Sequence, residues 1–180
     1  QLGQGGGVAP AREADPQLRA LKAPERAALA RLGLKLGVLT LYSPALLKPQ
    51  PTRLRLILWS AAHGFALAAT LPDGRRPAVV TDTRYDAGML TAAGYRQIGP
   101  LAIRVDILER LLLILRRTEA TPGRPLPRDL SALLGAPGTQ VAAAVTAFGY
   151  TVAADGAALR LTAAPAERPW RRPRPSPRDA

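Results

Sequence analysis

The stretch LAIRVDILERLLLILRRTEA at 101–120 constrains this chain more than any other. Val105, Leu108, Leu111, Leu112 and Leu115 recur at helical spacing and make one seam. Apolar residues nearly surround the second half, so the helix belongs at the centre of the core. The sequence predicts an i,i+4 pair between Asp106 and Arg110. Arg116 and Arg117 stand at the negative end of the helix dipole. Elsewhere alanine supplies much of the 47% apolar content. Alanine buries little area, so the core rests on the Leu, Ile and Val clusters.

A second helix follows the proline-rich LYSPALLKPQPTRLRLILW at 41–59. Pro44, Pro49 and Pro51 resist continuous helix and favour extended or turn geometry. We expect Thr52 as N-cap and a helix over 52–63. Leu54, Ile57, Leu58, Ala61 and Ala62 would face the core, with Gly64 as the stop. Two readings stand together here. The arginines are solvated on a core helix, or Lys48, Arg53 and Arg55 also meet phosphates.

Around these helices the chain divides. Residues 1–23 read as a flexible Gly- and Pro-rich linker. Residues 24–127 read as a helical domain with a loop-rich middle at 65–100. It opens on PERAALARLG, with Pro24 in the first turn and Gly33 at the stop. LKLGVLTLY at 34–42 reads as a short strand or extended segment, and a short helix is expected near 84–93. Asp82 and Asp86 read as caps and solvated charges rather than an acid–base pair.

Residues 128–163 form a helix–helix–hairpin module. Asp129 caps DLSALLG, and PGTQVAAAVTAFG aligns Val141, Val145 and Phe148. Asp155-Gly156 signals a hairpin turn in YTVAADGAALRLTA. Two helices and a hairpin resemble a minimal winged helix, a pattern many small modules share. Residues 164–180 read as a disordered Pro/Arg tail, where Arg171, Arg172 and Arg174 stand beside Trp170. The expected class is mainly α, with a small α+β, winged-helix-like C-terminal piece and flexible ends.

Charge narrows the function classes. The 25 basic residues against 13 acidic ones give +12, which attracts polyanions such as RNA, DNA or an anionic membrane face. Arg-rich, GC-biased coding explains arginine in place of lysine but not the excess of bases over acids. Cysteine is absent, which excludes disulfides, Cys-ligated zinc and thiol catalysis. The single His63 leaves no His-pair metal site. No phosphate-cradling GxxxxGK[ST] occurs, nor GxSxG nor HExxH, so the chain carries no catalytic motif of its own. No apolar run approaches the ~18 residues of a spanning helix, and the cytoplasm is the expected location. Gln1 in place of Met suggests a longer parent chain.

Several segments together resemble a known family. LGLKLGVLTLYSPALLKPQPTRLRLILWSAAHG and AAGYRQIGPLAIRVDILERLLLILR are similar to blocks that follow the motor core of alphaproteobacterial superfamily 2 helicases. Those are relatives of the RNA helicase of the mitochondrial degradosome. LSALLG, VTAFGY and the basic tail come in the same order, so the resemblance spans about residues 25–175. It implies a C-terminal accessory region that packs on upstream motor lobes and helps shape the channel for single-stranded RNA or DNA. ATP and Mg2+ would belong to those lobes, and no catalytic residue carries over. Candidate nucleic-acid contacts are Lys48, Arg53, Arg55, Arg116, Arg117, Trp170, Arg171, Arg172 and Arg174. Two alternatives stay open: a stand-alone basic adaptor for nucleic acid, and a protein-interaction module whose charge is genome bias.

Overall fold

The computed structural model describes residues 8–10, 18, 20–65, 74–81, 85–119, 125–127, 129–155 and 158–163. The fold is mixed α+β. No helix among the described residues is long and apolar enough to cross a membrane. The Pro/Arg tail, Asp82, most of the N-terminal linker and residues 156–157 of the hairpin turn lie outside the described set.

The chain enters through β1 (Val8–Pro10) and the helix α1 (Ala23–Arg31). The Lys22 N–H donates to Glu25 Oε2 at 2.6 Å, and Pro24 occupies the first turn, as its missing N–H allows. Helix α1 buries none of its residues. The expected single segment at 34–42 is instead a tight hairpin, β2 (Lys35–Leu36) and β3 (Thr40–Tyr42), with β3 central between β1 and β2. The turn forms because the carboxylate of Glu109, from the central helix, accepts from Val38 N–H, Leu39 N–H and Thr40 Oγ1.

A 3₁₀ turn over Pro44–Leu47 leads to α2 (Pro49–His63). The helix therefore starts three residues earlier than expected, with Lys48 and not Thr52 at the N-cap. Pro49 and Pro51 are part of its first turn, where N–H groups have no intrahelical partner. Its buried face is also the opposite of the expected one. Thr52, Leu56 and Ser60 are buried, whereas Leu54 (58%) and Leu58 (61%) are exposed.

The expected loop at 65–100 holds the short helix expected near 84–93 and, beyond expectation, strands. β4 (Ala78–Val80) precedes α3 (Ala87–Ala92), where the Asp86 carboxylate caps Gly88 N–H (2.7 Å) and Met89 N–H (3.1 Å). β5 (Tyr95–Ile98) then turns through Gly99 and Pro100 into β6 (Leu101–Arg104). Gly99 takes φ 54°, the left-handed region such a turn requires. The residues 101–104, expected as the start of the long helix, are thus the central strand of an antiparallel β4-β6-β5 sheet. The helix α4 (Val105–Glu119) follows with no linker. Its seam is as expected: Val105, Leu108, Leu111, Leu112 and Leu115 are all buried.

Strand alternation sorts the core into two sides. Ala102, Val79 and Tyr95 pack with Leu56 of α2 and Met89 and Leu90 of α3. Leu101 and Ile103 face the larger cluster with Leu108, Leu111, Leu112 and Leu115. That cluster extends into α5 (Leu130–Leu134) and α6 (Gly138–Ala147) and ends on Tyr150. It therefore draws on residues from both sides of the Pro127–Arg128 step. The hairpin β7 (Thr151–Asp155) and β8 (Ala158–Ala163) forms as the sequence predicts, with Pro125 bridging Arg160 beside it.

Candidate nucleic-acid interface

The described candidate cations stand on two different helices. Lys48 and Arg53 are exposed on the first turns of α2. Arg116 and Arg117 are exposed on the last turn of α4. Trp170, Arg171, Arg172 and Arg174 lie outside the described residues. Arg110, expected to pair with Asp106, does not. Asp106 instead receives a two-pronged contact from Arg104, Nε at 2.7 Å and a terminal nitrogen at 2.9 Å. That hydrogen bond, more than the charge itself, holds the Arg104 pKa above its ordinary value. A second terminal nitrogen of Arg104 reaches Gly74 O at 2.5 Å.

Arg55 has a different role from its neighbours. Its Nε donates to Ala92 O at 2.9 Å, one terminal nitrogen donates to Leu46 O, and the other reaches Thr52 Oγ1 at 3.3 Å. The fork thus ties α2 to the 3₁₀ turn and to the end of α3. Burial lowers its pKa from the ordinary value, because the charged guanidinium loses water there. Its donors are turned to the protein, so it has little left to offer a phosphate. Arg55→Lys should destabilise the chain by about 1–3 kcal/mol in a denaturant melt, because a single ammonium cannot reproduce the fork. Arg53→Ala, on an exposed side chain of the same helix, should leave the midpoint within about 0.5 kcal/mol.

Sequence reasoning missed two surface features. The first is a ring stack at the end of α2. Trp59 stacks on His63 at 4.4 Å between centroids and on Phe65 at 5.2 Å. His63 Nδ1 lies 2.8 Å from the Trp59 carbonyl, so the lone imidazole hydrogen-bonds to its own helix. The i, i+4 spacing of Trp59 and His63 was the available signal. The second is a groove of about 630 Å³ between α1, the β2–β3 turn and α4. Arg116 belongs to it, together with Arg26, Lys35 and Arg110. Helical spacing relates Arg110 to Arg116 through Leu113, but nothing local in the sequence brings Arg26 or Lys35 to the same place. Burial raises the pKa of the Tyr42 phenol in this groove, with Glu109 and Asp106 adding to the effect.

No three-residue cluster of His, Asp or Glu among the described residues could hold a metal ion. No protein-family model, curated protein or solved structure matches the chain.

Proposed function

We propose that the chain is a C-terminal accessory region of an ATP-dependent RNA or DNA helicase, one that packs on motor lobes and helps hold a single strand. The exposed apolar stripe of α2 carries this reading. Leu54, Ile57 and Leu58 are 58%, 41% and 61% exposed, and Phe65, stacked on Trp59 at the end of the helix, is 49% exposed. A soluble domain that turns three large aliphatic side chains of one helix to solvent has a surface suited to another protein. Lys48 and Arg53 flank that stripe and are free to meet phosphates at its edge. Arg117 and the tail residues Trp170, Arg171, Arg172 and Arg174 supply further charge and a ring for base stacking. ATP and Mg2+ would be bound by the motor lobes.

The C-terminal module supports a winged-helix arrangement in this reading. Helix α4, the Pro125 bridge, α5, α6 and the β7–β8 hairpin follow one another in that order. Helix α6 has no Lys or Arg, and the β5–β6 turn approaches it closely. A Cβ at Gly99 would stand 3.2 Å from Ala147 Cβ and 3.3 Å from Ala143 O. The module's role is therefore packing rather than reading a duplex groove. The interaction module without nucleic-acid binding remains a second reading, favoured by Arg55 being committed to protein carbonyls.

Two measurements test the proposal. The reading frame upstream of Gln1 should encode a P-loop and a DEXH-type motor, and a frame without them overturns the helicase reading. Oligonucleotide titrations over a range of salt should give a linear log–log dependence, each neutralised phosphate adding roughly 0.7 to the slope. Alanines at Arg171, Arg172 and Arg174 should lower that slope. A chain that does not bind at low salt is the interaction module.

A further inference from the structure

The groove beside α4 has a composition that nucleic-acid binding does not account for. Leu29, Leu34, Leu36, Val38 and Leu113 line it. Leu36 and Leu113 remain 41% and 44% exposed. Four exposed cations, Arg26, Lys35, Arg110 and Arg116, line it as well. Its two carboxylates are already engaged. Asp106 is held by Arg104, and Glu109 accepts from the 38–40 turn. Lys35, Arg110 and Arg116 have no salt bridge to a described residue. The groove therefore presents an aliphatic surface bordered by unmatched positive charge.

Helix α1, which forms one wall, buries none of its nine residues. A nine-residue helix gains little from propensity alone, so an inner face left unburied is one that a partner would stabilise. That face, with Leu29 and Arg26, opens onto the groove.

Single-strand sites pair a cationic track with exposed aromatic platforms. Among the described residues Tyr42 is the one ring lining this groove, and it is only 7% exposed. Leucines offer a base no π-face. They do suit the apolar side of a helix laid between two others, and the cations suit acids flanking that side. We propose that the groove docks an acidic amphipathic helix of a partner protein, with Leu-like side chains against Leu36 and Leu113 and Asp or Glu against Lys35, Arg110 and Arg116. This surface is distinct from the α2 stripe.

The test uses the full chain and labelled synthetic peptides in fluorescence anisotropy. One peptide places Leu on one helical face with Glu beside it. A second replaces the leucines with serine, a third replaces the glutamates with lysine, and oligo(dT) is the polyanion control. The Leu/Glu peptide should bind at least about tenfold tighter than either altered peptide. Arg110→Glu with Arg116→Glu should weaken it by about tenfold or more, while Arg96→Glu, on an exposed position of β5, should not. If the double variant melts early, Leu113→Ser, an exposed single change, carries the same expectation. Equal binding of the Leu/Glu and Ser/Glu peptides overturns the proposal, because charge alone would explain it. So does a groove variant that loses oligo(dT) but keeps the peptide.

Discussion

Leu112→Ala is expected to destabilise the chain by about 2–5 kcal/mol, seen as an earlier midpoint in urea with an unchanged slope. Leu112 is 0% exposed and sits in the largest cluster, where the central strand, α4 and the C-terminal helices meet. Truncation there removes methyl groups from contact on several sides, and the surroundings cannot all close in. Leu58→Ala gives the contrast. At 61% exposure its loss should change stability by no more than about 0.5 kcal/mol, although both residues are leucines in fifteen-residue helices. Equal losses at the two sites would mean that the burial of α2 is wrong.

Glu109→Ala is expected to cost about 2–4 kcal/mol, with groove water relieving part of the loss. The change strands two backbone N–H groups and the Thr40 hydroxyl, each having had a carboxylate oxygen as acceptor. Gly37 gives an independent check. A Cβ at Gly37 would stand 2.2 Å from Glu109 Cδ, so Gly37→Ala must drive the carboxylate out. Gly37→Ala should therefore be harmful in the native chain and nearly harmless once Glu109 is alanine. Additive losses in the double variant would show that the turn is not held by this contact.

The parts legible in the sequence are those whose signal is local. The α4 seam was readable because five large aliphatics repeat at helical spacing, and the β7–β8 hairpin because Asp155-Gly156 marks its turn. β6 was not, since Leu101, Ala102, Ile103 and Arg104 extend the helical pattern as well as they alternate. Pairing with β4 and β5 decides between the two, and that is a tertiary effect. Helix α2 misled for another reason. Counting apolar residues selects Leu54, Ile57 and Leu58, yet the helix buries the face with small polar Thr52 and Ser60. Those side chains permit close approach, and a Cβ at Gly74 would come within 3.1 Å of Thr52 Oγ1. Among the site residues, Arg53 and Arg55 look alike in sequence. Only the positions of Leu46 O and Ala92 O separate an exposed cation from a structural clamp.

The direct passage from β6 into α4 has a mechanical meaning. With no residue between Arg104 and Val105, the central strand runs directly into the central helix. The strand is fixed by hydrogen bonds on both edges, and the helix by the leucine cluster. The strand and the helix are therefore expected to open together, seen as matched amide-exchange protection along both. Glu109 stands on that helix and carries the 38–40 turn with it. A load applied to the outer face of α4 is thereby shared at once by the sheet and by the hairpin, whereas α1, which buries nothing, can yield without disturbing either.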